Sequence, residues 1–224
     1  LIKINKTDNA VAMTSSLPKP TQPGLRERKK AEKSHLIRQA ARQLFTTQGY
    51  EATTMRQVAA LADVGFGTVS AYASDKAGLL AMVFVEDLEH LPPLFDKITP
   101  ATPLLEQLTE RFTRLYRFWA KNPDLSRIVL PQMEFYNSNP FTDAIMKRRG
   151  QVQADLAEWL GRWQAQGRLV AHADAEQAAA ALFAIYTSAL RDWITCEPLV
   201  LAQGRKRLAY LFAPITNAIE TTTR

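Results

Sequence analysis

From Gly24 onward, apolar residues recur at steps of three and four, and no segment keeps the strict alternation of a half-buried strand. The pattern predicts an all-α chain. A first helix is expected over about 28–48, with Ile37, Ala40, Ala41, Leu44 and Phe45 as its inner stripe and Gly49 as its stop. A short second helix follows Thr54, a residue suited to N-capping, and turns Val58, Ala59 and Ala62 inward. Asp63-Val64-Gly65 reads as a tight turn, and a third short helix carries 67–72. Ser74 or Asp75 caps a fourth helix, expected from Lys76 to about Leu91, before Pro92-Pro93.

The later helices are longer. Leu105, Leu108, Phe112, Leu115, Tyr116 and Trp119 form one stripe, and Leu125, Ile128, Val129, Gln132, Met133 and Tyr136 form another. Ile145, Val152, Leu156, Trp159, Leu160 and Trp163 form a third, ending at Gly167. Residues 175–195 are apolar on nearly every side, which predicts burial on nearly every side. The last helix carries Leu201, Leu208, Leu211, Phe212, Ile215 and Ile219, with a kink at Pro214. These two helices hold more apolar surface than one chain covers, so a homodimer with a four-helix interface is expected.

Composition narrows the picture. The 224 residues are 46% hydrophobic with a net charge of +6, enough for a core and suited to an anionic partner such as nucleic acid. The single cysteine, Cys196, excludes an intrachain disulfide and fits a reducing, cytoplasmic setting. The longest apolar run, 178–190, is too short to span a bilayer, so no membrane partner is expected. Residues 1–24 hold Lys3, Asn5, Lys6, Asp8 and Asn9 and then turn rich in Ser, Pro and Thr. That predicts an unstructured arm rather than a signal peptide. Met13 reads as a natural start, and residues 1–12 are left out of the fold reading.

Few residues suggest covalent chemistry. His35, His90 and His172 are dispersed, which predicts no metal site. No nucleophile-base set or paired carboxylates stand out, so neither an enzyme nor a cofactor is expected. Gly65-Phe66-Gly67 follows no strand and lacks the Lys of a phosphate loop.

Three short helices with a tight turn before the third instead describe a helix-turn-helix. A basic approach precedes it: Arg26, Arg28, Lys29, Lys30, Lys33, Arg38 and Arg42. Residues 37–80 then resemble the DNA-binding domain of the tetracycline-repressor (TetR/AcrR) family. The resemblance is carried by Ala40-Ala41, Leu44-Phe45, Gly49-Tyr50, Thr53-Thr54, Val58-Ala59, Ala62, Val64, Gly67-Thr68-Val69, Tyr72, Lys76 and Leu79-Leu80.

After the unstructured arm over 1–24, the resemblance implies a helix-turn-helix domain over 25–80 and a larger helical domain for ligand binding and dimerisation over 81–224. Tyr72 and Lys76 are then expected to hold phosphates, Thr54 to cap the second helix so that its amides face one, and Gly67 to let the third helix's backbone approach DNA, with Gly65 also among the DNA-binding residues. Val64 and Val69 anchor the third helix. Arg56, Gln57, Phe66, Thr68 and Ser70 are the expected base readers. Four positions depart from the family's usual residues: Asp63 stands for Gly, Gly65 for Ser, Ser70 for Tyr, and Ala73 for Phe. Ser70 is expected to lose a phosphate contact and Ala73 to loosen packing onto the fourth helix.

The functional expectation is a repressor bound to palindromic double-stranded operator DNA and released by a mostly apolar, uncharged or weakly charged small molecule. Its expected binding residues are Phe112, Tyr116, Trp119, Gln132, Phe135, Tyr136, Trp159, Trp163, Phe183 and Tyr186. The alternative is a helical ligand-binding or interaction module that has lost DNA binding.

Overall fold

Gly49, at φ +86°, turns the chain out of its first long helix in a conformation that side chains with a Cβ disfavour. That helix is α1 (Leu25–Thr47) in a computed structural model that describes residues 24–99, 101–132 and 140–221, with backbone only at 132 and 140–142. The expected unstructured arm therefore lies, except for Gly24, outside the described residues. The further helices are α2 (Met55–Leu61), α3 (Phe66–Tyr72), α4 (Lys76–Glu89) and α5 (Leu104–Trp119). After them come α6 (Pro123–Gln132), α7 (Pro140–Ala165), α8 (Ala175–Ile194) and α9 (Leu201–Ile219). The fold is all-α, with an N-terminal helix-turn-helix and a larger C-terminal helical domain.

The N-terminal helices close around Ile37, Ala41, Phe45, Val58 and Val69, all almost fully buried. Helix α2 begins with a reciprocal cap. The Gln57 amide N–H donates to Thr54 Oγ1 at 3.2 Å, and Thr54 N–H donates to Gln57 Oε1 at 2.7 Å. The turn before α3 contains Asp63 at φ +52°, in the left-handed region. Asp tolerates that region better than most residues, and Gly best of all.

Helix α4 starts at the Asp75 cap, whose carboxylate accepts Gly78 N–H at 2.7 Å. It buries residues on almost all sides, from Leu79 through Phe84 to Leu88. It packs on α1 in one direction and on α6 and α7 in the other. It is thus the shared wall of the two halves.

Behind it, α5 lies along α9, α7 along α8, and α8 against α9. The α4–α5 loop is fixed by donors to its carbonyls, which would otherwise be unpaired. Trp159 Nε1 donates to Lys97 O at 3.1 Å and Arg162 to Phe95 O at 2.6 Å. Arg168 donates to Thr102 O at 3.0 Å, and the buried Arg111 donates to Lys97 O as well. Burial lowers the Arg111 pKa from its usual range. The first turn of α5 is capped from afar, Leu104 N–H donating to the Glu220 carboxylate at 3.0 Å.

Helix α8 departs from expectation. One of its faces, along Ala180, Ala184 and Ser188, is exposed in the single chain. The helix is buried by α7, α5 and α9 over the rest of its circumference.

Candidate nucleic-acid interface and effector cavity

Helix α3 is anchored by Val69, which is fully buried, and by the partly buried Val64. The opposite face is open: Gly65, Phe66, Gly67 and Ala71 are exposed, and Thr68 and Ser70 partly so. Phe66 is 49% exposed, an unusual setting for a large ring. The exposed Arg56 of α2 places its guanidinium 5.9 Å from the centre of that ring. A Cβ at Gly67 would meet nothing within 4 Å. No contact among the described residues demands glycine there.

A groove runs between this face and the N-terminal half of α1. Arg26, Lys29, Lys30 and Lys33 line one side of it, and Gly67, Thr68, Ala71 and Tyr72 the other. All four cations are exposed. The result is a basic wall beside an uncharged, protruding helix.

Two residues expected at phosphates are tied inside the chain. The Tyr72 hydroxyl donates to Lys30 O at 2.8 Å, joining α3 to α1. Lys76 Nζ donates to Tyr50 O at 2.9 Å and Glu51 O at 3.2 Å, and lies 4.3 Å from the Tyr50 ring centre. It thereby fixes the start of α4 to the α1–α2 turn. Thr54 and Gln57 serve the α2 cap described above.

Two of the cations assigned to the basic approach face elsewhere. Arg42 pairs with Asp87 at 2.6 Å and Glu86 at 3.2 Å, and Arg38 pairs with Glu86 at 3.1 Å. The hydrogen bond to Asp87 raises the Arg42 pKa above its usual range. These two belong to an α1–α4 clasp and not to the open groove. The helical period explains it: Arg38 and Arg42 are four apart, one turn along the side of α1 that meets α4.

Ala73 is only 2% exposed, and a Cβ at Gly78 would come within 3.2 Å of its own Cβ. The start of α4 therefore closes tightly on Ala73, and the loosening expected there is not seen.

The C-terminal half holds a cavity of about 150 Å³ bounded by α4, α5, α6, α7 and α8. Leu88, Leu115, Leu130, Ile145, Val152 and Leu190 supply apolar walls, with Trp119, Phe183 and Tyr186 among the aromatic ones. Arg148 and Arg149 of α7 and Arg191 of α8 are also part of its lining. The Tyr186 hydroxyl accepts the Trp119 indole N–H at 3.1 Å, and burial pushes the Tyr186 pKa well above its usual value.

Of the expected ligand residues, Trp119, Phe183 and Tyr186 line this cavity. Phe112, Tyr116, Trp159 and Trp163 are fully buried elsewhere, as core. Phe112 sits among Phe95, Tyr186 and Phe212, at 5.7, 4.7 and 5.3 Å between ring centres. Tyr116 stacks on Trp193 at 4.6 Å. Trp163 lies beneath the Arg168 guanidinium at 3.7 Å. Phe135, Tyr136 and the Gln132 side chain lie outside the described residues.

Sequence reasoning missed the arginines and Leu88. A signal was available: Ile145, Arg148, Arg149 and Val152 fall at three- and four-residue steps, so the cations share a face with apolar residues.

The cavity and the groove are joined by α4. Leu88 lines the cavity, and Phe84 stacks on Trp119 at 5.6 Å, 17° between planes. Glu86 and Asp87 hold α1, and Lys76 holds the α1–α2 turn.

Known proteins share this fold. Residues 37–83 match the family described as bacterial regulatory proteins, tetR family. The chain is 24% identical over 168 residues to an uncharacterized HTH-type transcriptional regulator, YhgD, of Bacillus subtilis, covering 75% of this chain and 87% of that one. The fold resembles FadR of Thermus thermophilus, a TetR-family transcriptional repressor solved in complex with lauroyl-CoA. That match has a TM-score of 0.55 and 24% identity, over 80% of this chain and 92% of that chain. It also resembles NalD of Pseudomonas aeruginosa, the secondary repressor of the MexAB-OprM multidrug efflux pump. Here the TM-score is 0.54 with 19% identity, over 88% of this chain and 100% of that chain.

Proposed function

The chain belongs, through residues 37–83, to the tetR family of bacterial regulatory proteins, and on that premise we propose that it is an effector-released repressor acting as a two-fold dimer. The observation that carries the proposal is the position of α4, with the cavity on one end and the α1–α3 surface clasped to the other.

In this reading α3 enters the major groove. Arg56, Phe66, Thr68 and Ser70 reach base edges, while Lys29, Lys30 and Lys33 neutralise phosphates. The open surface at Gly67 allows DNA to approach the helix backbone closely. Tyr72 and Lys76 hold α3 at its angle to α1 and α4, and Lys76 has one further N–H to offer a phosphate. Thr54 and Gln57 fix the start of α2, whose amides face the DNA backbone. The small-residue face of α8, together with the exposed Tyr210 of α9, forms the surface that a second copy covers.

A dimer must hold its two recognition helices about 34–36 Å apart to meet successive major grooves. A ligand that fits only one setting of Leu88 and Trp119 resets α4, and through the clasp the spacing of the α3 helices. Thus the cavity and the operator compete for two settings of one helix. FadR of Thermus thermophilus, with lauroyl-CoA bound, shows that a fold of this shape can house a ligand with a long apolar part.

The test is selection of bound sites from random DNA by the full chain. A palindromic consensus, bound by a species of twice the chain mass in light scattering, is the expected result. Absence of enrichment at low salt, or binding as a monomer to a single half-site, overturns the proposal.

A further inference from the structure

The polar residues of the cavity lining limit what enters. Among the described residues that line it, three are arginines and none is acidic. Arg149 and Arg191 take part in other interactions of the fold. Arg148, partly exposed, makes no hydrogen bond or ion pair among the described residues. Beside them stands Tyr186, only 4% exposed. Its oxygen accepts from Trp119 Nε1, a group that can only donate, so the Tyr186 proton remains to be given away. No acceptor takes it among the described residues. A buried donor without an acceptor is costly. Arg148 and Tyr186 both line this cavity, and the Phe183 ring between its walls lies 5.8 Å from the Tyr186 ring and 5.9 Å from the Arg149 guanidinium.

Resting on the reading of this cavity as the effector site, we propose that its effector is a small organic carboxylate. Its apolar body is about one aromatic ring in size, and its carboxylate is turned toward the Tyr186 hydroxyl and Arg148. The head follows from the donors: a carboxylate is acceptor-only and takes the tyrosine proton and a guanidinium together. The body follows from the walls. Leu88, Leu115, Val152 and Leu190 are aliphatic, and a cavity of about 150 Å³ encloses roughly one benzene ring. This narrows the expectation of a mostly apolar, uncharged or weakly charged ligand to an apolar body with a single carboxylate.

The experiment titrates the full chain by calorimetry with benzoate and with benzamide, a neutral partner of the same shape. Benzoate is expected to bind about tenfold tighter or more. Arg148→Gln abolishes that preference by weakening benzoate far more than benzamide, while Arg148→Lys restores part of it. Tyr186→Phe, which keeps the ring, weakens benzoate more than benzamide. Equal affinity for the two probes, a preference that survives Arg148→Gln, or no binding of benzoate at millimolar concentration each overturns the proposal. Operator affinity, measured in parallel, separates the two readings. Benzoate that binds with the stated preference but leaves operator affinity unchanged upholds the ligand class and removes the sensing role.

Discussion

The two functional regions are built in opposite ways. The surface proposed to face DNA is made of one short stretch of chain, with its chemistry outside and exposed. The cavity is assembled from five helices that span more than a hundred residues of sequence, with its chemistry inside. In the first, position along the sequence is nearly position in space. A turn, a cap and a helix of two turns put Arg56, Phe66 and Thr68 on one surface whatever follows them. In the second, which side of an aromatic ring meets empty space depends on how distant helices happen to cross.

The contrast is sharpest among the aromatics, and it gives the largest expected effect. Phe112 and Phe183 have the same side chain and were given the same role from sequence. Phe112 is enclosed by three rings, whereas Phe183 borders the cavity. Phe112→Ala should cost about 3–5 kcal/mol, a fall of roughly 6–20 °C in Tm for a chain of this size. Phe183→Ala should cost less, because its cavity side has fewer contacts to lose, and should change ligand affinity. Thermal melts of both variants decide the matter. A larger loss for Phe183→Ala would reverse the assignment of core and cavity.

Small residues give the second contrast. A glycine inside a helix ordinarily costs about 1 kcal/mol relative to alanine. At Gly204 the sign should invert, because a Cβ there would stand 2.8 Å from both the Trp193 and Tyr116 rings. Gly204→Ala is expected to destabilise by about 1–3 kcal/mol. Ala73→Phe, the change toward the family's usual residue, should cost a similar amount because α4 has closed on the site. Denaturant melts at constant m-value check both. A stabilised Gly204→Ala would mean that α9 shifts away from the Tyr116–Trp193 stack at little cost.

These residues show what the sequence makes legible. The helix count and type followed from period alone, because each long helix buries one stripe. Gly49 and the Thr54 cap could be placed because their work is local. Arg38 and Arg42 were misread as DNA-facing because charge along a helix does not state which neighbour it meets; the carboxylates that claim them lie more than forty residues away. The four-ring packing of Phe112 and the closeness of Gly204 to two rings are tertiary facts with no local signature. The pair Arg148 and Arg149 was different. Its place between Ile145 and Val152 on one helical face was visible as a charge where the period calls for an apolar residue.

The clasp between the regions gives a smaller effect. Glu86 accepts from Arg42 and forms an ion pair with Arg38, and His35 Nδ1 lies 3.9 Å away. The Arg42 side chain is 38% exposed, so screening discounts each single pair. As a network, its loss in Glu86→Gln should cost about 1 kcal/mol, or roughly 2–4 °C in Tm. The informative measurement is a double-mutant cycle with Arg42→Gln. Coupling of about 0.5 kcal/mol or more is expected between contacting residues. Strictly additive losses would mean that the clasp transmits nothing, and the path from cavity to α3 would then run through Lys76.

The smallest effect belongs to Asp63, where backbone and charge are separable. At φ +52° the residue occupies a region that costs most L-residues about 1–2 kcal/mol and costs Asp and Asn less. Asp63→Gly removes that cost but adds about 0.5–1 kcal/mol of lost chain entropy on folding. Stability should therefore stay within about 1 kcal/mol of the parent. DNA affinity should respond to the charge instead. A carboxylate about 10 Å from a phosphate in water is repelled by about 0.4 kcal/mol, a factor of roughly two, before salt screens it. Asp63→Asn removes the charge and keeps a side chain that tolerates the left-handed region. Both variants should bind operator and random DNA about twofold tighter at low salt, with the gain fading as salt rises. Fluorescence anisotropy at two salt concentrations measures this. A gain in Asp63→Gly alone would place the effect in the backbone of the turn. Weaker binding by both variants would show that the carboxylate helps hold α3 in its DNA-binding pose.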